Sequence, residues 1–170
     1  MFSKNNVDYG SYALLKAIEN EDIKGNVLDF GCGYGAIGVI LQNKFTNSAV
    51  ISSDINSRAV ELANINYQKN GMHNKAIVSD GFTNIKETFD WIMLNPPIRT
   101  GKANIYHMFE EAYNHLNDAG KLVIVIQKKQ GAESAIKKLE TLFSKVEIIE
   151  KNKGYWIIKS VKWKIDGFNN

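Results

Sequence analysis

The strongest constraint on this chain is a rhythm: short, continuously apolar runs alternate with longer segments that carry helical spacing. Residues 27–30, 49–53, 76–79, 89–94 and 122–126 are four to six residues long and mostly apolar throughout, which predicts strands. A run that does not alternate polar with apolar suits a strand covered on both faces, as in parallel sheets. Helices are expected from Asp8, as N-cap, to about Glu19, then over 35–44, 57–70 with Gly71 as C-cap, 104–116 and 133–143. The end of the chain breaks the rhythm. Segments 146–150 and 155–162 are separated by Lys151-Asn152-Lys153-Gly154, which leaves no room for a crossover helix, so they must form an antiparallel hairpin. The expected architecture is α/β: a Rossmann-like three-layer sandwich, its seven-stranded sheet mostly parallel with one antiparallel strand near the C-terminus.

With 170 residues, no internal repeat and no Pro-, Gly- or Ser-rich linker, the chain reads as one domain over 1–170. Residues 1–25 form a helical lead-in, 26–128 the central core, and 129–170 a helix and the hairpin. The longest aliphatic run, 122–126, falls far short of the roughly 20 residues a membrane helix needs. Residues 1–10 are polar and do not resemble a signal peptide. A lone Cys32 excludes an internal disulfide, and no clustered ligands point to a metal, so a reduced, cytoplasmic setting is expected. Charge is uneven. Residues 121–170 hold eleven lysines against five acids, whereas the first 120 hold ten basic residues against thirteen acids. A basic C-terminal third fits an anionic partner such as nucleic acid, but it also fits a merely well-solvated surface.

Chemistry enters at Asp29-Phe30-Gly31-Cys32-Gly33-Tyr34-Gly35-Ala36-Ile37-Gly38, which follows the first strand and opens a helix. Glycines there permit positive φ and close approach of a ligand to the main chain. Gly33-x-Gly35-x-x-Gly38 with Asp54 at the end of the second strand matches a dinucleotide fingerprint, so NAD is a contender on spacing alone. Three features favour S-adenosylmethionine. Asp29 places a carboxylate where it would repel a pyrophosphate but attract an ammonium and a sulfonium. Asp80, ending the third strand, offers an acceptor for an adenine amino group. The fourth strand runs into Asn95-Pro96-Pro97, which a dinucleotide enzyme does not require.

That last tripeptide suits methylation of an exocyclic amine. Such a nitrogen is a poor nucleophile because its lone pair is delocalised. Two acceptors directed at its hydrogens, the Asn95 side-chain oxygen and the Pro96 carbonyl, favour a pyramidal nitrogen with its lone pair exposed. Pro97 fixes φ and biases Pro96 towards an extended conformation, holding that carbonyl in place. The same dipoles stabilise the positive charge that develops on nitrogen.

Together these motifs resemble class I methyltransferases. With Val7-Asp8-Tyr9-Gly10-Ser11, Ile98-Arg99-Thr100-Gly101-Lys102 and Gln127-Lys128-Lys129-Gln130-Gly131, the chain resembles the small-subunit ribosomal RNA guanine-N2 methyltransferases, in a short single-domain form. The resemblance implies that Asp29, Gly31 and Gly33 hold the methionine part of S-adenosylmethionine, Asp54 the ribose hydroxyls, and Asp80 and Phe82 the adenine, with Gly35, Ile55, Gly81 and Asn95 also at the cofactor. It implies that Asn95 with Pro96 and Pro97 forms the catalytic loop. Ile98 stands where relatives commonly carry an aromatic residue that stacks on the flipped base. Relatives also carry an additional N-terminal segment, so substrate contacts from such a segment are not expected here. Arg99, Lys102, Lys128 and Lys129 are the expected RNA contacts. Ribosomal RNA or a small-subunit assembly particle is the expected partner, with no membrane and no metal; the oligomeric state is left open. A protein-glutamine or adenine-N6 methyltransferase, and a non-catalytic cofactor-binding assembly module, are the alternatives.

Other residues attract less weight. His107, Glu111 and His115 share a helical face, but the two histidines would stand ~12 Å apart along the axis, too far to share one ion. Cys32 has no expected base and is not read as a nucleophile. Trp156 and Trp163 are expected to pack against the core or the hairpin.

Overall fold

The computed structural model describes residues 9–163, so the Asp8 cap lies outside the described residues. The elements are α1 (Tyr9–Ala17), β1 (Gly25–Phe30), α2 (Ala36–Lys44), β2 (Ser48–Asp54), α3 (Ser57–Lys69), β3 (Lys75–Val78) and β4 (Phe89–Leu94). They are followed by α4 (Lys102–Asn114), β5 (Leu116–Gln127), α5 (Ala132–Leu142), β6 (Lys145–Asn152) and β7 (Tyr155–Lys162). Short 3-10 turns occupy Ile98–Thr100 and Lys128–Gln130.

Seven strands form one sheet in the order β3-β2-β1-β4-β5-β7-β6. The pairs β1–β2, β1–β4, β2–β3 and β4–β5 are parallel, and β7 runs antiparallel to both β5 and β6. One strand is therefore reversed, as the short 151–154 connection required. Lys153 and Gly154 both have positive φ, 51° and 85°, the two-residue hairpin geometry that matches strand twist. The order reverses between β1 and β4. Such a switch point opens a crevice at the carboxyl ends of the strands.

The continuous apolar runs are explained by burial on both faces. Leu122, Ile124 and Ile126 of β5 pack with Phe109 of α4 and Leu139 of α5. Val123 and Val125, one residue out of phase, pack with Leu14 of α1 and Leu41 of α2. Phe109 and Leu139 are fully buried, and each contributes about 1.5–3 kcal/mol from burial alone. Beyond the glycine loop, α2 and α3 interlock because Gly38 has no side chain: a Cβ there would collide with Tyr67. Gly35 likewise faces Ala63 and Tyr67 of α3.

Two expectations need correcting. β5, expected at 122–126, begins at Leu116, since Asn117-Asp118-Ala119-Gly120 is absorbed as an irregularity opposite β4 with Ala119 at φ 66°. As expected, no helix joins β3 to β4; Phe82 and Ile85 from that loop are buried in the core. Trp156 packs into the core, but Trp163, just beyond β7, is 51% exposed.

Candidate active site

At the switch point lies a cavity of about 370 Å³, within the size range of small-ligand sites. Its walls are the carboxyl ends of four parallel strands and their loops: Phe30 and Gly31, Ser53 to Ile55, Ser79 to Gly81, and Leu94, Asn95 and Pro97. Thr100, Asn104 and Met108 close it from the turn after β4 and from α4. A larger hollow of about 540 Å³ lies at the opposite edge, between the starts of β2 and β3. Gln42 and Asn74 there bond to each other and to the β2 backbone. It has neither a glycine loop nor converging carboxylates, so the smaller cavity is the site.

The glycine loop is held from below. Ser53's carbonyl accepts hydrogen bonds from the N–H groups of Gly31 and Cys32, both 2.8 Å. Asp54 Oδ2 accepts from Gly33 N–H and Oδ1 from Asn56 N–H, each at 2.9 Å. Asn66 of α3 donates to the Tyr34 carbonyl at 2.7 Å. Gly31 and Gly33 have φ of 80° and 55°, with nothing within 4 Å of where a Cβ would stand. The conformation needs glycine, and the open space lets a ligand reach the main chain.

Asp29 is 2% exposed, and its Oδ2 has no hydrogen-bond partner among the described residues. Burial, then the nearby charge of Asp54, pushes its carboxyl up to about 7. A buried acid without a cation beside it is costly, and Asp29 stands one residue before Phe30 and Gly31, which border the cavity. Burial, with the carboxylates of Asp29 and Asp54, pushes the Cys32 thiol far above its ordinary range, which removes it as a nucleophile.

On the next wall, Ser79 Oγ donates to the Gly81 carbonyl at 2.7 Å and accepts from Asn84 N–H, shaping the turn that presents Asp80. Ile55 is 65% exposed at the cavity. Phe82 does not line the cavity. It is buried between Phe30 and His115, with ring centroids 4.8 and 4.6 Å away.

At the far wall, Asn95 and Pro97 border the cavity, and Pro96 is buried between them. Thr100 bonds twice to the Pro97 carbonyl, through its N–H at 2.9 Å and its hydroxyl at 2.7 Å. The Pro96 carbonyl makes no hydrogen bond among the described residues. Asn95 Nδ2 donates to Ser11 Oγ of α1 at 3.4 Å, so the amide oxygen is the Asn95 atom suited to accept from an incoming amine. Ile98 packs half-buried against the core rather than lining the cavity. Arg99 and Lys102 are exposed beside the mouth; Lys128 and Lys129 are exposed at the end of β5, on the same edge.

Sequence reasoning gave no site role to Ser11, Thr100, Asn104 or Met108, although Ser11 and Thr100 stand in the stretches that carry the resemblance. Asn104 and Met108 carry a readable signal, since they are four apart on α4 and share one helical face. The contact of Ser11 with Asn95 spans 84 positions and leaves no local signal. No cluster of possible metal ligands occurs among the described residues, and none of their helices is long and apolar enough to cross a membrane.

The sequence matches the methyltransferase small domain family over residues 1–159. The chain belongs to that family. It is 48% identical over 165 residues to the uncharacterized protein YbxB of Bacillus subtilis, covering 95% of this chain and 82% of that protein. It is 41% identical over 129 residues to ribosomal RNA small subunit methyltransferase C of Haemophilus ducreyi, covering 73% of this chain but 39% of that protein. Among solved structures it resembles the Thermus thermophilus 16S rRNA N2 G1207 methyltransferase, solved with AdoMet and guanosine. The TM-score is 0.82 and the identity 24%, over 95% of this chain and 45% of that one. A Pyrococcus furiosus methyltransferase aligns at a TM-score of 0.80 and 21% identity, over 96% of this chain and 88% of that one. The fold is thus Rossmann-like and the donor S-adenosylmethionine. The residues present fit that donor: the open main chain at Gly31 and Gly33 and the unmatched buried carboxyl of Asp29 suit a cationic amino acid.

Proposed function

We propose that this methyltransferase acts on the exocyclic N2 amine of guanine in small-subunit ribosomal RNA. The observation that carries the reading is the far wall of the cavity: Asn95 borders it with its side-chain nitrogen turned to Ser11, and the carbonyl of Pro96, next in the chain, makes no hydrogen bond among the described residues. Two such acceptors beside a donor cavity suit an –NH₂ group better than a hydroxyl or a carbon.

Asp29, Gly31 and Gly33 would hold the methionine part of the donor, with Gly35 shaping the loop through its packing on α3. Asp54 and Ile55 would meet the ribose, and Asp80 and Gly81 the adenine. Phe82 would act from behind the wall. Bound there, S-adenosylmethionine supplies an electrophilic methyl group on a cationic sulfur. Asn95 and Pro96 would each accept one amine hydrogen, which turns the nitrogen lone pair towards the cavity. Pro97, pinned by Thr100, keeps the Pro96 carbonyl from turning away. The charge gained by the amine is stabilised by two dipoles already in place, so no base is needed before attack. Guanine N2 lies on the base-pairing edge, so the base must come from a loop or be flipped, at a cost of a few kcal/mol. Arg99, Lys102, Lys128 and Lys129 would grip phosphates rather than read the base.

The chain spans 39% of the ribosomal RNA methyltransferase it matches, so the substrate must be tested on this chain itself. The purified protein is incubated with labelled S-adenosylmethionine and either naked small-subunit RNA or the small ribosomal particle, and nucleosides are read by mass spectrometry. N2-methylguanosine is expected. Label in N6-methyladenosine, or only in protein, overturns the reading.

A further inference from the structure

Beyond the cavity, the same sheet edge carries an aromatic and basic surface that the chemistry above does not use. Tyr9, in the first turn of α1, meets both Tyr12 of the same turn and Tyr155 at the start of β7, its ring lying 5.6 Å from each of the other two. The Tyr9 hydroxyl donates to Asn152 Oδ1 at 2.8 Å, fixing the helix start to the hairpin tip. Gln127 at the end of β5 donates to the Tyr155 hydroxyl at 2.8 Å, and Lys128 N–H donates to the Gly154 carbonyl at 2.9 Å. Three segments far apart in the chain are thus tied into one patch.

Tyr12 is 41% exposed, more than a tyrosine placed only to cement a helix requires. Lys153 lies over the Tyr9 ring, 5.5 Å from its centroid. Lys128, Lys129, Lys151 and Lys153 are all exposed, and none forms an ion pair among the described residues. Lys128, Lys129 and Lys153 flank the tyrosine cluster, while Lys151 lies over Trp156 on the other face of the sheet. Unneutralised lysines beside tyrosines combine phosphate contact with base stacking, the pairing of functions by which single strands are bound. The patch also adjoins the reacting centre, because Ser11, between Tyr9 and Tyr12, contacts Asn95.

We infer that the start of α1 and the β6–β7 tip form a docking surface for the single-stranded RNA flanking the methylated nucleotide. A base stacks on Tyr12, and the hairpin and β5-end lysines hold the backbone. The inference rests on the RNA reading of the active site. It explains how a chain with few base-reading groups around its cavity takes hold of an unpaired segment.

The test uses the full chain and a fluorescein-labelled single-stranded RNA of about 12 nucleotides, with affinity read by anisotropy across a salt series. Tyr12→Ala should weaken binding about 10-fold while Tyr12→Phe retains it, since stacking needs the ring and not the hydroxyl. Lys153→Gln should lower the slope of log affinity against log salt by about one. Both variants should bind S-adenosylmethionine like the parent. Parent-like RNA affinity of Tyr12→Ala, with an unchanged salt slope for Lys153→Gln, overturns the inference. If Tyr12→Ala melts early, Tyr12→Phe and the Lys153→Gln slope decide alone. The two failures are separable: RNA methylated by variants with unaltered RNA binding removes the docking surface only. An RNA that is neither bound nor methylated by the parent removes the functional reading as well.

Discussion

The two walls of the cavity are made in different ways. The donor wall, from β1 to β3, is built almost entirely from consecutive residues at strand ends. Ser53, Asp54 and the glycine loop brace one another through contacts between adjacent parallel strands. The wall proposed to hold the acceptor draws Asn95 and Pro97 from the loop after β4 and Thr100, Asn104 and Met108 from the next turn and helix, and Ser11 of α1 contacts Asn95 from the opposite layer. A cationic donor of fixed shape can be held by a local motif. A substrate that must be oriented against it needs groups from separate elements, whose relative positions only the finished fold sets.

The largest effect should fall on the acceptor wall. Asn95→Ala removes an acceptor whose value lies mainly in the transition state, so turnover should drop by about 100-fold or more with the donor affinity nearly unchanged. Single-turnover methylation together with calorimetry for S-adenosylmethionine separates the two quantities. Equal losses in both would erase the distinction between the walls and make Asn95 a donor ligand.

The donor wall should answer in the opposite way. Asp54→Ala removes a charged acceptor, with hydrogen bonds worth roughly 1.5–3 kcal/mol, so S-adenosylmethionine should bind about 10- to 100-fold more weakly. Because Asp54 also holds the Gly33 and Asn56 N–H groups, Asp54→Asn, which keeps one carbonyl acceptor, should recover part of that loss. Unchanged donor affinity in both variants, or tight NAD binding by the parent, would take the ribose role from Asp54.

The same division decides what could be read from the sequence. Strand positions, the reversed strand and the donor wall were legible, because apolar runs, a four-residue connection and spaced glycines are local signals. Gly31, Asp54 and Asp80 border the cavity, and Asp29 lies one residue before the end of β1. Gly35 and Gly38, which look alike in a glycine pattern, turn out to serve the packing of α2 on α3 instead of open ligand space. What stayed hidden depends on tertiary neighbours. Phe82 follows Asp80 and Gly81 in sequence, yet its ring is buried between Phe30 and His115. Ile98 follows the catalytic tripeptide, yet the 3-10 turn directs it into the core. Ser11 contacts Asn95, and Tyr9 meets Asn152, 143 residues away, only because α1 packs across β5 to β7.

The last effect, on stability rather than on turnover or donor binding, should come from Asp29, and it concerns what holding a cation site open costs the protein. The carboxyl titrates at 3.8 when free and at about 7 in the fold, chiefly through burial and then through the charge of Asp54. Between those values the folded chain keeps a proton that the unfolded chain has released, so stability falls as pH rises. This contribution is fully present below pH 3.8, declines by at most about 1.4 kcal/mol per pH unit, and is gone above about 7. Urea unfolding of the unliganded parent should therefore show a decline between pH 5 and 7 that Asp29→Asn lacks, with the variant the more stable of the two at pH 8. Adding S-adenosylmethionine places a cation beside the ionised carboxylate, so at pH 8 the parent should gain more stability from the donor than the variant does. The donor wall would then be a site kept strained until its ligand arrives, in contrast with an acceptor wall whose dipoles need no ligand to be stable. Identical slopes for parent and variant would assign the pH dependence to other groups and show that Asp29 holds its proton no more tightly in the fold than in the unfolded chain.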